Sequence, residues 1–252
     1  MSGSHSSLMG GYRAVSRAIA AVPVTIITTV FNSAPYLERT IDSVLAAGPG
    51  VEYIVIDGGS WDGTVNMLRR YDDQIAYWVS EPDRGIYDAM NKGWAAAQRG
   101  SRILYLGAGD ELISLPSKLE GYAPNDIIFG RVYLGTVLLK AAADLRLRMG
   151  NTLHHQALLV PKSLSLTPPF DLVYRVYADF DFNQRLLHNG SRFVYADTFR
   201  ARALPGGASS KLFVREALVV VRRNYGLGWS ALAALYHTYQ SVRRGFHDIS
   251  LR

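Results

Sequence analysis

Residues 24–63 read VTIITTVFNSAPYLERTIDSVLAAGPGVEYIVIDGGSWDG, and this stretch decides the fold. Its first seven residues form a β-branched run that is typical of a buried strand. Apolar side chains then recur at helical spacing over residues 35–47, and the Gly-Pro-Gly at residues 48–50 ends that helix. A second apolar run, YIVI, follows at residues 53–56. A strand, a helix and a second strand in this order predict a parallel pair joined by a helical crossover.

The same alternation continues as far as residue 106. Predicted strands at residues 75–79 and 102–106 alternate with predicted helices at residues 62–71 and 87–99. Such alternation predicts an α/β fold, with a mostly parallel sheet covered by helices. Ligands of such sheets bind beyond the carboxyl ends of the strands. We therefore expect the loops that follow the four strands to converge on one site.

Beyond residue 111 the pattern is less regular. Strand-forming, apolar and helical segments still occur, at residues 126–139, 155–160, 179–188 and 191–196. The breaker cluster LPGGA at residues 204–208 is the best candidate for a boundary. We therefore predict three regions: a flexible extension with a short helix at residues 1–22, the α/β domain at residues 23–208, and an amphipathic helical tail at residues 209–252.

Length and composition favour one sizeable domain with an appendage. The chain has 252 residues, of which 48% are hydrophobic and 19% charged, and this balance argues against a disordered protein. It contains no cysteine, so disulfide frameworks, thiolate metal sites and catalytic thiols are excluded. No window approaches the roughly 18–20 uninterrupted apolar residues of a membrane-spanning helix, and no signal peptide is expected.

The formal net charge of +6 is unevenly distributed. Residues 200–252 contain nine Lys or Arg and two Asp or Glu, whereas residues 1–199 contain 18 basic and 19 acidic residues. The whole positive excess therefore lies at residues 200–252. Because the body is neutral and offers no extended basic channel, we do not expect nucleic-acid binding.

The four loops at the strand ends carry polar residues, in the segments TVFN, DGGSWDGT, SEPDRG and GAGDE, and the last three contain carboxylates and glycines. Glycine lets the backbone approach a ligand closely, and a carboxylate at a strand end is a natural ligand for a hard divalent cation. Asp57 and Asp110 end two internal strands, so we expect functional roles for both. Asp62 and Asp83 precede helices, where the alternative role of a helix N-cap stays open.

Four segments of the first half resemble the nucleotide-sugar-binding half of family 2 glycosyltransferases, which have the GT-A fold. They are VTIITTVFNSAPYLERTIDSV, YIVIDGGSWDGTVNML, SEPDRGIYDAMNKG and RILYLGAGDEL, in the order and spacing of that family. HHQALLVPK and YRVYADFDFNQRLL resemble acceptor-side elements of bacterial polysaccharide and glycolipid transferases. The resemblance implies transfer of a sugar from a nucleotide-diphosphate sugar to a hydroxyl of a cell-envelope glycan or glycolipid.

The resemblance also implies roles for particular residues. The implied donor-binding residues are Thr29 and Phe31 at the base, Asp57 beside base and ribose, and Asp83, Arg84 and Asn91 near the ribose and diphosphate. Asp110 matches the last acid of the family's metal-binding motif and implies Mn²⁺ or Mg²⁺ as the cofactor. The implied acceptor-side residues are His155 and Gln156, near the diphosphate or acceptor, and Asp179, the general base of inverting members.

Two loops depart from the family pattern. Gly58 follows Asp57 where a second acid is common, and Gly107 and Gly109 stand where the acidic motif often has Asp. A lone carboxylate still holds a divalent ion, because Mg²⁺ keeps several waters and takes substrate phosphates as ligands. Metal dependence is therefore expected to be weak.

Asp179 and Asp181 are both candidates for the base that deprotonates the acceptor hydroxyl. The apolar spacing over residues 182–186 predicts a helix that begins near Asp179, which places Asp179 at the cleft and Asp181 in the first turn. Acids in a first turn also stabilise the helix dipole, so a capping role for both stays open. A single in-line displacement inverts the anomeric centre, and we predict an inverting enzyme.

Residues 210–224 and 229–244 predict two amphipathic helices in the tail. Their faces combine basic and apolar side chains: Lys211, Arg215 and Arg222 in the first, and Trp229, Leu232, Tyr236, Tyr239, Val242, Arg243 and Arg244 in the second. Such faces suit an anionic membrane surface, and the alternative is packing on the catalytic domain or another subunit. A lipid-linked acceptor favours the membrane and a cytoplasmic protein held on the inner membrane, while homo-oligomer formation stays open.

Two other classes of function stay open. A sugar nucleotidyltransferase shares the nucleotide-binding layout, but it needs a glycine-rich loop with Arg and Lys for the triphosphate, which residues 28–32 lack. A catalytically inactive nucleotide-sugar-binding or scaffold protein is favoured by the reduced acidic motif.

Overall fold

The computed structural model describes residues 7–15, 22–165, 167–206 and 214–249, with only the backbone of residues 14–15 and 242–249. The strands of the first half are β1 (Leu8–Gly10), β2 (Val24–Val30), β3 (Val51–Asp57), β4 (Tyr77–Ser80) and β5 (Arg102–Gly107). Its helices are α1 (Tyr12–Val15), α2 (Ala34–Leu45), α3 (Thr64–Arg70) and α4 (Ile86–Ala96). The predicted alternation from β2 to β5 is confirmed.

In the described residues, the second half contains five further strands and three further α-helices. The strands are β6 (Glu111–Ser114), β7 (Ile127–Leu134), β8 (Val137–Leu139), β9 (Leu158–Pro161) and β10 (Phe193–Ala203). The helices are α5 (Ala178–His188), α6 (Val214–Tyr225) and α7 (Leu227–Ile249), and a 3₁₀ turn at His155–Ala157 precedes β9.

The strands form one mixed sheet in the order β1-β4-β3-β2-β5-β9-β7-β10-β6, with β8 beside β7. The central strands β4, β3, β2 and β5 are parallel, and β9 runs antiparallel between β5 and β7. Val30 pairs with Asp57, and Asp57 pairs with Ser80, so three central strands end at the same level. The loops that follow them therefore meet at one end of the sheet, as predicted.

Successive side chains of the central strands serve two cores, because they point to opposite faces of the sheet. Ile26 packs in one cluster with Leu37 of α2. Ile27 packs in the other, which contains Trp94 of α4 and Phe180 of α5. Helices thus cover both faces, and the α/β prediction is confirmed.

The tail is part of the second core, which corrects the predicted boundary after residue 208. Ala217, Val220 and Val221 of α6 are at most 1% exposed and lie in the cluster that contains Phe180. The two predicted helices are present as α6 and α7. An amphipathic pattern predicts an apolar side of a helix, but it does not identify the surface against which that side packs. Residues 207–213, which include Lys211, lie outside the described part. No helix in the described part is long and apolar enough to cross a bilayer.

The amino-terminal residues 7–15 also belong to the folded body, so the prediction of a flexible extension is wrong there. Residues 8–10 form β1, which extends the sheet antiparallel to β4. Arg13 forms a 2.7 Å ion pair with the buried carboxylate of Glu52. A three-residue strand in a Ser/Gly-rich stretch is too short to show periodicity. The other predicted positions, residues 1–6 and 16–21, lie outside the described residues.

Candidate active site

Asp57, the last residue of β3, holds the second loop in place. Its side chain is fully buried and accepts hydrogen bonds from the Ser60 backbone N–H (3.0 Å), the Ser60 hydroxyl and the Ser80 hydroxyl (2.5 Å). These contacts tie β3 to β4 and turn the loop back across the strand ends. The Asp57 carboxylate therefore determines the shape of the loop that the resemblance implies beside base and ribose.

The first and second loops interlock around Asn32, which has a φ of 46°, a left-handed conformation that Asn tolerates. Its N–H donates to Ser60 Oγ (2.7 Å), and its side-chain oxygen accepts from the Trp61 N–H (3.0 Å). Phe31 and Trp61 meet edge to face, with ring centroids 5.3 Å apart, and both rings are exposed. An exposed aromatic pair thus stands next to the half-buried Thr29, where the resemblance implies the base.

Gly58 leaves room for Asp83, which comes from the next loop. A Cβ atom at residue 58 would lie 2.5 Å from Asp83 Oδ2 and 3.3 Å from the Phe31 ring. Burial raises the pKa of the Asp83 carboxyl, and the carboxylates of Asp88 and Asp57 add to this effect. The space beside Gly58 that a second consecutive acid would enter is therefore already filled by the carboxylate of Asp83.

Asp62 accepts hydrogen bonds at the start of two helices, although the N-cap residue of α2 is Ser33 and that of α3 is Gly63. Its carboxylate accepts the backbone N–H groups of Ala34 (2.8 Å) and Thr64 (3.1 Å), the first residues of α2 and α3, and the Thr64 hydroxyl (2.6 Å). Burial would raise the pKa of the Asp62 carboxyl, but the hydrogen bonds from Thr64 and Ala34 outweigh it and lower the pKa.

The fourth helix presents two predicted ligands in different ways. Arg84 is exposed at the start of α4 and forms a 2.8 Å ion pair with Asp88. The Asn91 amide donates to the Phe170 carbonyl (2.8 Å) and accepts from the Phe170 N–H (3.0 Å). Asn91 therefore fixes the chain at Phe170, and these two bonds use one of its two amide hydrogens and one of its two oxygen lone pairs.

Asp110 lies at the end of β5, almost fully buried. Its Oδ2 accepts from the Gly107 N–H (2.9 Å) and the Gln156 side-chain amide (3.2 Å), and its Oδ1 accepts from the Leu204 N–H (2.8 Å). The predicted residues Asp110 and Gln156 are therefore in direct contact, although 46 positions separate them. Thr40 of α2 supports the loop by donating to the Asp110 carbonyl (2.8 Å).

Asp179 is at the amino-terminal end of α5, with its side chain 16% exposed. It accepts hydrogen bonds from the Tyr87 hydroxyl (3.1 Å), the Phe180 N–H (2.8 Å) and the Asn151 side-chain amide (3.0 Å). Asp181 differs, because it is 3% exposed and forms a 2.8 Å ion pair with Arg185 of its own helix. Only Asp179 of the two acids has a partly open carboxylate.

His155 connects the two acidic groups. Its Nδ1 lies 3.9 Å from Asp179 Oδ2, and the adjacent Gln156 contacts Asp110. Burial would lower the pKa of the His155 imidazole, but the carboxylates of Asp179 and Asp110 outweigh it and raise the pKa. The neighbouring His154 has its pKa lowered to about 4 by burial and by His155.

Asp110 is suited to bind a divalent ion weakly, and it is not part of a metal site with several protein ligands among the described residues. Among the described residues no group of three or more His, Asp or Glu side chains is arranged to hold a metal. Within the same residues, Asp110 Oδ1 accepts one hydrogen bond, from Leu204, and a carboxylate oxygen has two lone pairs. One lone pair is therefore left for a cation that takes its other ligands from water and phosphate.

Three residues of the site were not predicted as members of it: Tyr87, Asn151 and Glu216. Tyr87 lies in the quoted GIYDAMNKG segment, where helical spacing marks it as a core residue. Asn151 lies in an irregular segment without periodicity. Glu216 lies in the tail, and it reaches the chain before α5 through three hydrogen bonds. No pattern within a single sequence links residues so far apart along the chain.

The sheet order and the convergence of the strand-end loops agree with the GT-A fold that the resemblance implies. Solved structures with this fold include a Pyrobaculum calidifontis mannosyltransferase in complex with GDP-Man and Mn²⁺, at a TM-score of 0.58 and 17% identity, covering 92% of this chain and 81% of that one. S. aureus TarS 1–349 in complex with UDP matches at a TM-score of 0.55 and 15% identity, over 81% of this chain and 67% of that one. This chain covers 39% of a longer TarS chain.

The chain belongs to glycosyltransferase family 2. The family profile described as "Glycosyl transferase family 2" matches residues 25–111. A Mycobacterium tuberculosis protein named PGL/p-HBAD biosynthesis glycosyltransferase is 32% identical over 241 residues, which is 89% of this chain and 93% of the relative. An uncharacterized glycosyltransferase of the same species is 45% identical over 93 residues, which is 36% of this chain and 35% of that protein.

Proposed function

We propose that the protein is an inverting hexosyltransferase that uses a nucleotide-diphosphate sugar, with Asp179 as the general base. The observation that carries this proposal is the setting of the Asp179 carboxylate. It is partly open and is held in one orientation by Tyr87, Phe180 and Asn151. A fixed, accessible carboxylate at a helix terminus is the arrangement that general-base catalysis requires.

The chemistry is a single displacement at the anomeric carbon. The acceptor hydroxyl loses its proton to Asp179, its oxygen forms the new glycosidic bond, and the bond to the diphosphate breaks with the electron pair leaving on phosphate. Attack on the face opposite the leaving group inverts the configuration. We propose that the His155 imidazole, whose Nδ1 lies 3.9 Å from Asp179 Oδ2, donates a hydrogen bond toward the charge that develops on the diphosphate.

The donor is proposed to lie across the strand ends. The aromatic pair Phe31–Trp61 and Thr29 border the base, and the loop held by Asp57, together with Asp83, borders the ribose. Arg84 is exposed, and it is proposed to bind the diphosphate of the donor after its ion pair with Asp88 opens. The UDP and GDP-Man complexes of the structural neighbours support a nucleotide donor.

A divalent cation, Mn²⁺ or Mg²⁺, is proposed to assist through Asp110. When bound, the ion neutralises the charge of the leaving diphosphate. The Mn²⁺ complex of the structural neighbour supports this, and the single carboxylate predicts that activity depends only weakly on the metal. Gln156 orients the Asp110 carboxylate by donating to its Oδ2.

The acceptor is proposed to be a glycan or glycolipid of the cell envelope, met at an anionic membrane surface. The M. tuberculosis relative named for PGL/p-HBAD biosynthesis supports an acceptor from that biosynthesis. The exposed side of α7 supports the membrane: Leu227, Leu232, Leu235 and Tyr239 are each at least 50% exposed. This face differs from the predicted stripe, because Trp229 and Tyr236 pack toward Arg148 and Gly150 of the body.

Replacement of the base tests the proposed function. Asp179→Asn is expected to lower the rate of nucleoside-diphosphate release from the donor by about 10²–10⁴-fold, because the amide cannot accept the proton. The donor is selected by thermal shift from a panel of UDP-, GDP- and dTDP-sugars with Mn²⁺. Binding of that donor is expected to persist in the variant, and Asp73→Asn, an exposed acid in the turn between α3 and β4, is the matched control.

The same experiment separates the enzyme from an inactive scaffold. Donor binding without turnover by the wild type and by Asp179→Asn would contradict catalysis and favour a nucleotide-sugar-binding protein. Equal turnover by both proteins would remove Asp179 from the role of base. Product analysis by NMR distinguishes inversion from retention at the anomeric carbon.

A further inference from the structure

Glu216 of α6 binds the chain immediately before α5 with one carboxylate. Its oxygens accept the backbone N–H groups of three consecutive residues, Arg175 (3.1 Å), Val176 (2.8 Å) and Tyr177 (2.7 Å). The first N–H groups of a helix have no partner within the helix and need one from elsewhere. Tyr177 is the N-cap residue of α5 and makes no side-chain capping bond, and Arg175 and Val176 precede it, so Glu216 holds the chain that enters the helix.

The Val176 peptide is held on both sides. Its N–H donates to Glu216, and its carbonyl accepts the hydroxyl of Tyr87 from α4. The same hydroxyl lies 3.1 Å from Asp179 Oδ1. Because a tyrosine hydroxyl has one hydrogen, Tyr87 shares it between the Val176 carbonyl and the Asp179 carboxylate. Glu216, Val176, Tyr87 and Asp179 therefore form one connected network, which we name the α5 clamp.

Helix α6 is fixed firmly enough to hold this clamp. Its inner side is buried in the core at Ala217, Val220 and Val221. At its carboxyl end, Asn224 donates to Asp181 and to Gln184 of α5 at 3.1 Å each. The two helices are thus joined at both ends of their contact, and Glu216 cannot shift without moving the start of α5.

We propose that Glu216 is a positioning residue for the transfer reaction, which acts through Val176 and Tyr87 on the orientation of Asp179. The inference rests on the proposed role of Asp179 as general base. In this proposal α6 contributes to catalysis through Glu216, independently of whether the exposed side of α7 binds a membrane. A displacement of about 1 Å in a reacting group costs on the order of 10²-fold in rate, so a small shift of α5 is sufficient.

The test uses Glu216→Ala, Glu216→Gln and Tyr87→Phe in the full chain, with Val219→Gln, an exposed position on the same helix, as the control. Glu216→Ala is expected to lower kcat for nucleoside-diphosphate release about 10- to 100-fold, with the donor KM changed less than about threefold. Glu216→Gln retains one acceptor oxygen and is expected to recover part of the loss. Amide hydrogen exchange at residues 175–177 is expected to accelerate in Glu216→Ala, while the control behaves as the wild type.

A loss confined to kcat, with faster exchange at residues 175–177, supports the proposal. Wild-type kcat in a folded Glu216→Ala, or an equal loss of donor affinity and kcat, overturns it. If Glu216→Ala fails to fold, Glu216→Gln and Tyr87→Phe decide by the same kcat and KM criteria. Full activity of Asp179→Asn would instead refute the proposed base, whereas an inactive Asp179→Asn with a fully active Glu216→Ala refutes only the clamp.

Discussion

Gly58, in the loop after β3, leaves space for the carboxylate of Asp83, which lies in the loop after β4. The absent side chain leaves space that Asp83 Oδ2 occupies, 2.5 Å from where a Cβ would stand. The chain therefore keeps two neighbouring carboxylates, Asp57 and Asp83, although its second loop has only one acid directly after β3. Asp83 thus places a carboxylate next to Gly58, the position where the family pattern commonly has a second acid.

Gly58→Asp is expected to weaken donor binding, because the new side chain collides with Asp83 and the Phe31 ring. Overpacking of this kind costs about 1–3 kcal/mol, which thermal unfolding and donor-induced thermal shift both detect. The double variant Gly58→Asp/Asp83→Gly restores the space and is expected to recover donor binding. Failure of the second substitution to improve on the first would contradict the steric explanation.

His154 makes stability depend on pH between about 6.5 and 4. Burial lowers its pKa to about 4 in the folded state, so the unfolded chain binds the proton more tightly. The stability that the neutral imidazole contributes is present above pH 6.5 and is lost as pH falls toward 4, by about 2–3 kcal/mol in all. Urea unfolding at pH 7.5 and pH 4.5 measures this loss. His154→Gln, which cannot titrate, is expected to lose less stability over the same interval than the wild type does.

At the scale of elements, periodic segments could be predicted and segments defined by distant contacts could not. Strand β2 was predicted at its exact bounds because seven apolar or β-branched residues stand between clear breakers. The three-residue β1 was missed because its place depends on the free edge of β4. At the site, the positions of Asp110 and Asp179 follow from motifs, whereas the contacts of Glu216 depend on the docking of α6. A motif in the sequence identifies which residues a loop contains, whereas the packing of distant elements determines which residues that loop contacts.

Arg148 illustrates how α6 and α7 are fixed to the body. Its guanidinium lies 5.2 Å from the Tyr225 ring centroid and 5.0 Å from that of Trp229. Two cation–π contacts in a partly buried place are together worth about 1–3 kcal/mol, so Arg148→Ala is expected to destabilise the protein by that amount. Arg146→Ala, which removes an exposed pair with Asp144, is the control and is expected to change stability by less than about 1 kcal/mol. Equal effects of the two variants would contradict a special role for the aromatic pair.

At the scale of the whole molecule, the residues that carry the positive charge, 200–252, include α7 with its exposed apolar side. Residues 225–241 contain no Lys, Arg, Asp or Glu, and exposed Arg222 and Arg223 precede this uncharged stretch. Removing residues 209–252 would delete Val220 and Val221 from the core, together with the contacts of Glu216 to the chain before α5. Surface substitutions are therefore the proper test of a docking role, because they leave the catalytic body intact.

Leu232→Gln/Leu235→Gln is expected to reduce binding to vesicles that contain anionic lipid. These side chains are 50% and 69% exposed in water, and full burial of a leucine contributes about 1.5–3 kcal/mol. Flotation with vesicles of phosphatidylglycerol and phosphatidylcholine measures the bound fraction, at low and at high salt. Leu138→Gln, an exposed leucine on β8, is the matched control because it lies outside the tail. Reduced flotation of the double variant alone, with sensitivity to salt, supports a membrane surface. Equal flotation of all three proteins would exclude α7 as the docking face and leave its apolar side to a protein partner.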